Sequence, residues 1–444
     1  GVFVTFEDSV ADLRRNLLSF GWDVEQWERD GLWAFVDAGP DPDGPTAVVG
    51  DYDLGGLLAR VEHAVTRIGA RRVSLDSMNA LFVRFTEHAL LRAELFRITR
   101  AVKAMGATVV FTGERTEEYG PISRHGLEEF VADNVVILRN LLTDERRRRT
   151  IELLKMRGAR HQRGEFPFTI TSAGLVVIPL SGIELTQTSS TVRITTGNVE
   201  LDRMSGGGFF RDSIILLSGA TGAGKTLMVT QFLHGGATAG ERCLLFAFEE
   251  SRDQLYRNAA AWGIDFPALE AEGRLRVVNA YPHAMAMEDH LVHMREIITE
   301  FRPDRVAVDS LSALERVTSV RSFREFVIAL TSFLKQQQIT GLFTSTTPSL
   351  LGGSSVTEKH ISTLTDTIIL LRYVETHGRM RRAVTVLKMR GSAHDADIRE
   401  FTIDGTGLHI GEPFHRMAGI LAGNLTVLAP EEEENGLDGS AAGS

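Results

Sequence analysis

The sequence predicts an α/β protein of two tandem domains, each a mostly parallel sheet flanked by helices with a C-terminal β-hairpin region. Three observations carry that prediction. At 444 residues the chain is long for a single core. It repeats itself at a constant spacing. Within each repeat, short β-rich runs alternate with stretches of helical periodicity, which implies crossover connections and parallel strands.

The repeat is read directly. Arg72-Val73-Ser74-Leu75-Asp76-Ser77 returns 233 residues later as Arg305-Val306-Ala307-Val308-Asp309-Ser310, and Lys155-Met156-Arg157-Gly158 returns at the same spacing as Lys388-Met389-Arg390-Gly391. Asp133, His161, Phe168 and Gly174 recur as Asp366, His394, Phe401 and Gly407. Nearer the front, Phe6-Glu7-Asp8-Ser9 matches Phe248-Glu249-Glu250-Ser251, and Asn16 and Gly21 match Asn258 and Gly263, now at a spacing of 242. A unit of this size lies far beyond the roughly 20–50 residues of a solenoid repeat, so each copy should own a core. The expected organisation is a first domain over 1–180, a linker over 181–197, a second domain over 198–430 and an acidic, Gly/Ser-rich tail over 431–444 expected to be disordered.

In the second copy the expected strands are Ser213–Ser218, Cys243–Phe248, Arg305–Asp309, Gly341–Ser345 and Thr367–Leu371, and Phe323–Gln337 has helical periodicity. Ala383–Met389 and Ile398–Ile403 alternate as hairpin strands do. The chain opens abruptly in Gly1-Val2-Phe3-Val4-Thr5-Phe6, a pattern that belongs to the middle of a domain, so an N-terminally truncated first copy is expected.

Composition narrows the function. Hydrophobic residues make up 43% and charged residues 24%, the balance of a globular protein. A net charge of −10 argues against a nucleic-acid-binding surface, and no run of eighteen apolar residues or secretion-type leader is present, so neither a membrane span nor export is expected. The single cysteine, Cys243, lies in the apolar run Cys243-Leu244-Leu245-Phe246 and is expected to be a buried strand residue in a reducing cytoplasm.

Gly219-Ala220-Thr221-Gly222-Ala223-Gly224-Lys225-Thr226 fits the phosphate-loop pattern, between an apolar run and the helical segment Leu227–Gly236. Glycines let backbone N–H groups converge on phosphate at a helix N-terminus, Lys225 offers a cation to the β and γ oxygens, and Thr226 offers its hydroxyl to Mg²⁺. Asp309 ends a predicted strand and is placed to hold Mg²⁺ directly or through water. Glu249 and Glu250 end another, and either could orient or deprotonate an attacking hydroxyl, although adjacent acids often form nothing more than a solvated turn. The first copy offers Glu7, Asp8 and Asp76. The counterpart of Lys225 would precede residue 1, so this half is expected to bind nucleotide weakly if at all.

Together these segments resemble the two-domain KaiC proteins of the RecA-like ATPase superfamily. The resemblance covers residues 1 to about 425 and rests on Phe248-Glu249-Glu250-Ser251, the phosphate loop, Lys388-Met389-Arg390-Gly391 and His360-Ile361-Ser362-Thr363-Leu364-Thr365-Asp366-Thr367. It implies two RecA-like domains in a homo-hexameric double ring, with ATP and Mg²⁺ between neighbours and an ATPase that is also a serine/threonine autokinase and autophosphatase of a timing system. By resemblance, nucleotide is held by Gly219, Thr221, Gly222, Ala223, Gly224, Lys225, Thr226 and Leu227. Across the interface it is reached by Lys388, Met389, Arg390 and Gly391, with Lys155, Met156, Arg157 and His161 their counterparts in the first copy. Glu249 or Glu250 is the general base, with Glu7 in the first copy, and Thr226, Asp309 and Glu249 attend the metal. Ser362 and Thr363 are the phosphoacceptors, with Thr357 as an auxiliary site, and Arg316 pairs with the phosphorylated acceptor. The repeat supports the acceptors independently, because the corresponding first-copy positions are Glu129 and Phe130.

Two departures stand out. Asp8 replaces the second glutamate usual in the first domain, which puts that domain's hydrolysis in doubt. The tail is unlike the family's regulatory tail, so a KaiA-like activator is not assumed, whereas the region 114–125, opening with Glu114-Arg115-Thr116-Glu117-Glu118-Tyr119-Gly120-Pro121, resembles the loop used by KaiB-like partners. The competing expectations are a RecA/RadA-like DNA-dependent ATPase and a nucleotide-assembled ring scaffold without kinase activity.

Overall fold

The structure, a computed structural model, describes residues 1–39, 54–79, 88–115, 117–120, 131–143, 146–178, 189–347, 361, 363–376, 378–415, 417–421 and 426–427. The chain divides into two compact units, Gly1–Ser181 and Gly182–Ser444.

In the first unit four short parallel strands, β1 (Val2–Thr5), β2 (Ala34–Asp37), β3 (Arg72–Asp76) and β4 (Thr108–Phe111), lie in the order β2-β1-β3-β4. Val2, Val4, Val73 and Leu75 from this sheet share a core with Leu57, Val61 and Val65 of the helix Leu54–Ile68. A second sheet is an antiparallel meander of β5 (Asn134–Thr143), β6 (Arg146–Met156), β7 (Glu165–Thr171) and β8 (Gly174–Val177).

The second unit opens with a short antiparallel pair, β9 (Arg193–Ile194) and β10 (Phe209–Phe210). The stretch expected to be linker over 181–197 is therefore partly structured, because Arg193 and Ile194 already have strand partners. The main sheet has nine strands: β11 (Ile214–Gly219), β12 (Cys243–Ala247), β13 (Leu275–Asn279), β14 (Arg305–Asp309), β15 (Thr340–Thr346), β16 (Thr367–Thr376), β17 (Arg379–Met389), β18 (Arg399–Asp404) and β19 (Gly407–Pro413). Their order is β13-β12-β14-β15-β11-β16-β17-β18-β19. The strands from β13 to β16 in that order are parallel, and the rest form the antiparallel hairpin region. All residues of β11, β12 and β14 are buried, as continuous apolar runs covered on both faces must be. The strand β16 outlasts its predicted end at Leu371, because beyond that residue it leaves β11 and continues against β17 alone.

The two units repeat one plan, since β2-β1-β3-β4 and β5-β6-β7-β8 match β13-β12-β14-β15 and β16-β17-β18-β19 in sequence spacing and in order. In the second unit β11 lies between the two sets and fuses them. Val110, Val136 and Leu138 of the first unit are 59%, 51% and 52% exposed, whereas their counterparts Leu342, Ile369 and Leu371 are fully buried.

Cys243 is buried, its Sγ donating to the Leu233 carbonyl at 3.2 Å, and burial pushes the thiol up to about 12. It is a packing residue. Among the described residues no helix is long and apolar enough to cross a membrane.

Arg305, at the foot of β14, is the largest fully buried side chain among the described residues. It ion-pairs with Glu241, donates to the carbonyls of Thr195 at 2.7 Å and Phe232 at 3.0 Å, and stacks 4.8 Å over the Phe232 ring. Arg305→Met strands the Glu241 carboxylate with only Arg211, 3.0 Å away, so a destabilisation of about 3 kcal/mol is expected. Denaturant titration checks this as a lowered midpoint at an unchanged slope.

Candidate active site

The loop after β11 is built for a backbone cradle. A Cβ on Gly219 would stand 2.8 Å from the Leu371 carbonyl, and Gly222 and Gly224 have φ of 77° and 105°, a region that side-chain-bearing residues rarely enter. The helix Lys225–Thr238 starts directly after Gly224, so its free N–H groups face the loop. The Nζ of Lys225 donates to the carbonyls of Gly219 and Ala220, both at 2.9 Å, and burial holds the ammonium below its ordinary pKa. The Thr226 hydroxyl donates to Asp309 at 2.8 Å.

Asp309 ends β14, and Ser310 then caps the helix Leu311–Glu315, so the carboxylate is fixed at a strand-to-helix junction. It accepts from Thr226 on one oxygen and Thr344 on the other. Burial raises its pKa more than those two hydrogen bonds lower it. Glu249 and Glu250 sit between β12 and the helix Arg252–Ala261, whose start is held by a capping box of Ser251 and Gln254. The Asn258 amide donates to the Glu250 carboxylate at 3.1 Å and that of Asn279 to its carbonyl at 2.8 Å. Burial, and then the charge of Asp309, push the Glu250 pKa up. Glu249, close enough to act electrostatically on Lys225 and Asp309, is ion-paired with Arg316. The structure thus brings together the phosphate loop, Thr226, Asp309, Glu249, Glu250 and Arg316 at the carboxyl edge of the sheet.

It does not bring Thr363, Lys388, Met389, Arg390 or Gly391 there. Gly219 at the end of β11 pairs with Leu371, whereas Met389 pairs with Thr367 at the opposite end of β16, beside Ile215. The separation along the strands is about 13 Å at roughly 3.3 Å per residue. At that amino edge the Lys388 Nζ donates to the Thr365 carbonyl at 2.8 Å and Arg390 to the Thr363 carbonyl at 2.9 Å. Burial, and next the charge of Arg390, hold Lys388 below its ordinary pKa. Thr363 is exposed; Ser362 and Thr357 lie outside the described residues.

The first unit repeats the amino-edge arrangement. Lys155 donates to the Ala132 carbonyl at 2.8 Å, as Lys388 does to Thr365, and Arg157 pairs with Asp133 at 3.1 Å, as Arg390 does with Asp366 at 3.8 Å. At its carboxyl edge, Glu7 and Asp8 are exposed after β1, and Thr112 donates to Asp76 as Thr344 does to Asp309. His161 is half-buried after β6. In the described part of the segment 114–125, Tyr119 lies 5.1 Å beneath the Arg139 guanidinium, and Arg139 also donates to the Glu118 carbonyl at 3.1 Å.

Sequence reasoning missed Thr344, Asn279 and Tyr373. The Tyr373 hydroxyl stands 3.0 Å from where a Gly222 Cβ would be. A signal for Thr344 existed: Phe111-Thr112 recurs as Phe343-Thr344, one residue short of the common spacing. Asn279 and Tyr373 carried none, since their roles appear only once neighbouring strands are aligned.

A family model described as ATPase: KaiC matches residues 1–182 and 194–414. The chain is 63% identical over 435 residues to the circadian clock protein KaiC3 of Synechocystis sp., covering 98% of this chain and 86% of that relative. It is 52% identical over 433 residues to the circadian clock oscillator protein KaiC of Thermostichus vulcanus and 51% identical over 433 residues to that of Synechococcus elongatus, in each case covering 98% of this chain and 83% of the relative.

Two substitutions separate binding from stability. Lys225→Ala removes a charge-assisted partner of the phosphates and is expected to weaken nucleotide binding about ten- to a hundred-fold, measured by equilibrium titration. Asp309→Asn is expected to weaken binding of the magnesium nucleotide yet raise the thermal midpoint of the ligand-free protein near neutral pH. The folded-state pKa of Asp309 is raised, so stability falls as pH rises through the window from its unfolded to its folded value and stays lowered above it. The neutral amide escapes that cost, and melting curves at acidic and neutral pH should converge for the variant more than for the parent.

Proposed function

The chain belongs to the KaiC family of ATPases, and on that premise we propose that its second unit passes the γ-phosphoryl group of ATP from the phosphate loop of one copy to Thr363 and Ser362 of another. It is an ATPase and autokinase of the KaiC kind. The observation that carries the transfer between copies is the split site. The phosphate loop and its acids stand at the carboxyl edge of the sheet, while Thr363, Lys388 and Arg390 stand at the amino edge of the same chain. A separation of about 13 Å along rigid buried strands is several times the near-attack distance of roughly 3 Å. A head-to-tail arrangement of copies brings the two edges together, and such an interface closes into a ring, here a homo-hexamer.

The residues at the carboxyl edge fit ATP with Mg²⁺. The glycines leave room that a Cβ would fill, and Thr226 with Asp309 supplies an oxygen-only donor pair. Mg²⁺ takes one or two protein oxygens and completes its shell with phosphate and water. Bound there, Mg²⁺ would neutralise charge on the β and γ oxygens. Lys225 holds the phosphates and Glu249 accepts the proton of the acceptor hydroxyl. Glu250, held by Asn258, shapes the local field. Lys388 and Arg390 of the neighbouring copy supply the trans cations, with Met389 and Gly391 lining the same turn. Arg316, at the donor edge, pairs with the phosphate once it is on the acceptor, and Thr357 is the auxiliary acceptor.

In the first unit Glu7, Lys155, Met156, Arg157 and His161 take the corresponding places, and the segment 114–125 offers a docking loop for a KaiB-like protein. The single buried cysteine fits a cytoplasmic protein. Net charge of −10 speaks against the DNA-dependent alternative.

Mixing two inactive variants tests the transfer. Glu249→Gln lacks the base but keeps the acceptors; the Ser362→Ala, Thr363→Ala double variant lacks the acceptors but keeps the donor site. Incubated separately with radiolabelled Mg-ATP, neither should incorporate appreciable phosphate. Incubated together, label should appear on the Glu249→Gln chains, mapped to Ser362 and Thr363. Labelling of Glu249→Gln alone removes Glu249 from the chemistry, and no labelling in the mixture defeats transfer between copies.

A further inference from the structure

We propose that Arg193, in the segment that enters the second unit, is a positioning residue for the trans cations Lys388 and Arg390. The proposal rests on the reading above that these two side chains act on the nucleotide of a neighbouring copy.

The turn after β17 runs through Arg390 and Gly391 to Ser392. Arg193 reaches it from β9: one terminal nitrogen donates to the carbonyls of Ser205 at 2.8 Å and Gly208 at 2.6 Å, and the other donates to the Ser392 hydroxyl. That hydroxyl in turn donates to the Ala393 carbonyl at 2.8 Å. The guanidinium lies 4.1 Å over the Phe210 ring, and a Cβ on Gly391 would stand 3.8 Å from the same ring. The Asp395 N–H donates to the Met204 carbonyl at 2.8 Å, and a Cβ on Gly206 would press against the Ala393 carbonyl at 3.0 Å. Residues 391–395 are therefore seated on the 204–210 turn, and Arg193 is the polar bolt through both. Because the guanidinium is planar with fixed N–H directions, it sets the orientation of Ser392, two residues after Arg390.

The link belongs to the catalytic copy. At the position of Ser392 the first copy has Ala159, whose side chain cannot accept from an arginine. The same entering segment also touches the metal-side strand, because the Thr195 carbonyl accepts from Arg305 at the foot of β14, the strand that ends in Asp309. Residues 193–195 thus contact elements that lead to both halves of the split site.

The test uses the assembled protein, four single variants and one double variant. Arg193→Gln and Ser392→Ala should each lower kcat for ATP hydrolysis and autophosphorylation, Arg193→Gln by about ten-fold, with KM for ATP little changed. The double variant should be no worse than Arg193→Gln alone, because both remove one connection. Asp202→Asn is the structural control: it loosens the entering segment itself, where Asp202 accepts from Thr195 and Thr196, without touching Ser392. An equal kcat loss in that control, or losses that add in the double variant, would show that Arg193 merely supports the fold and would overturn the proposal. Arg390→Ala separates the two levels. If it lowers kcat while Arg193→Gln and Ser392→Ala do not, the positioning role fails and the trans cation stands; if Arg390→Ala has no effect, both fall.

Discussion

Strand β11 is hydrogen-bonded along its length to a parallel neighbour on either side and buried throughout, and the placement of every functional group in the second unit follows from that. Its start is pinned where the Ile214 N–H donates to Asp366 at 2.9 Å, and its end delivers Gly219 to the phosphate loop. Because β12 and β14 run the same way, Glu249, Glu250 and Asp309 emerge at the same edge although they are distant in sequence. Antiparallel β17 reverses direction and carries Lys388 and Arg390 to the other edge. Strand polarity alone separates donor from acceptor, and no side-chain rearrangement within one chain removes a gap fixed by five buried residues per strand.

The first unit displays the same plan without a strand in the place of β11 among its described residues. Its sheet is two sheets, and Val136 and Leu138 are open to solvent where Ile369 and Leu371 are sealed by β11 and the helix Lys225–Thr238. What persists is what depends only on strands the two units share. Lys155 in β6 and Arg157 after it hold the segment before β5 as Lys388 and Arg390 hold the segment before β16, and Asp76 keeps a threonine partner as Asp309 does. The amino-edge machinery is thus local to a hairpin, whereas the phosphate loop of the second unit is delivered by β11.

That distinction explains what was legible in the sequence. The phosphate loop, the acids and the Lys-Met-Arg-Gly turns are contiguous words whose chemistry is local, and the repeat exposed the acids and the Lys-Met-Arg-Gly turns twice. Strands buried on both faces were legible for the same reason, since Ile214–Leu217 and Val306–Val308 are unbroken apolar runs. The far half of β16 was not, because Arg372 interrupts the run, although the strand continues there on β17 pairing alone. Thr344 and Asn279 escaped notice because a hydroxyl or an amide acquires a role only from the neighbour that strand register supplies. Arg193 escaped because its partner, Ser392, is 199 residues away.

The electrostatics of the carboxyl edge give the split site a further consequence. Lys225 is pushed toward its neutral form and Asp309 and Glu250 toward theirs, in each case with burial as the first cause. The opposite charges that are present do not cancel this desolvation, since Lys225 spends its hydrogen bonds on the carbonyls of Gly219 and Ala220 instead of on a carboxylate. The ligand-free fold therefore carries an electrostatic cost that magnesium nucleotide is suited to relieve, with phosphate opposite the lysine and a cation opposite the acids. Any ligand that binds the folded form and not the unfolded one stabilises it by mass action. If the cations completing the site stand at the far edge of another copy, the same relief is shared across an interface, and nucleotide occupancy, assembly and stability of the second unit become one linked equilibrium.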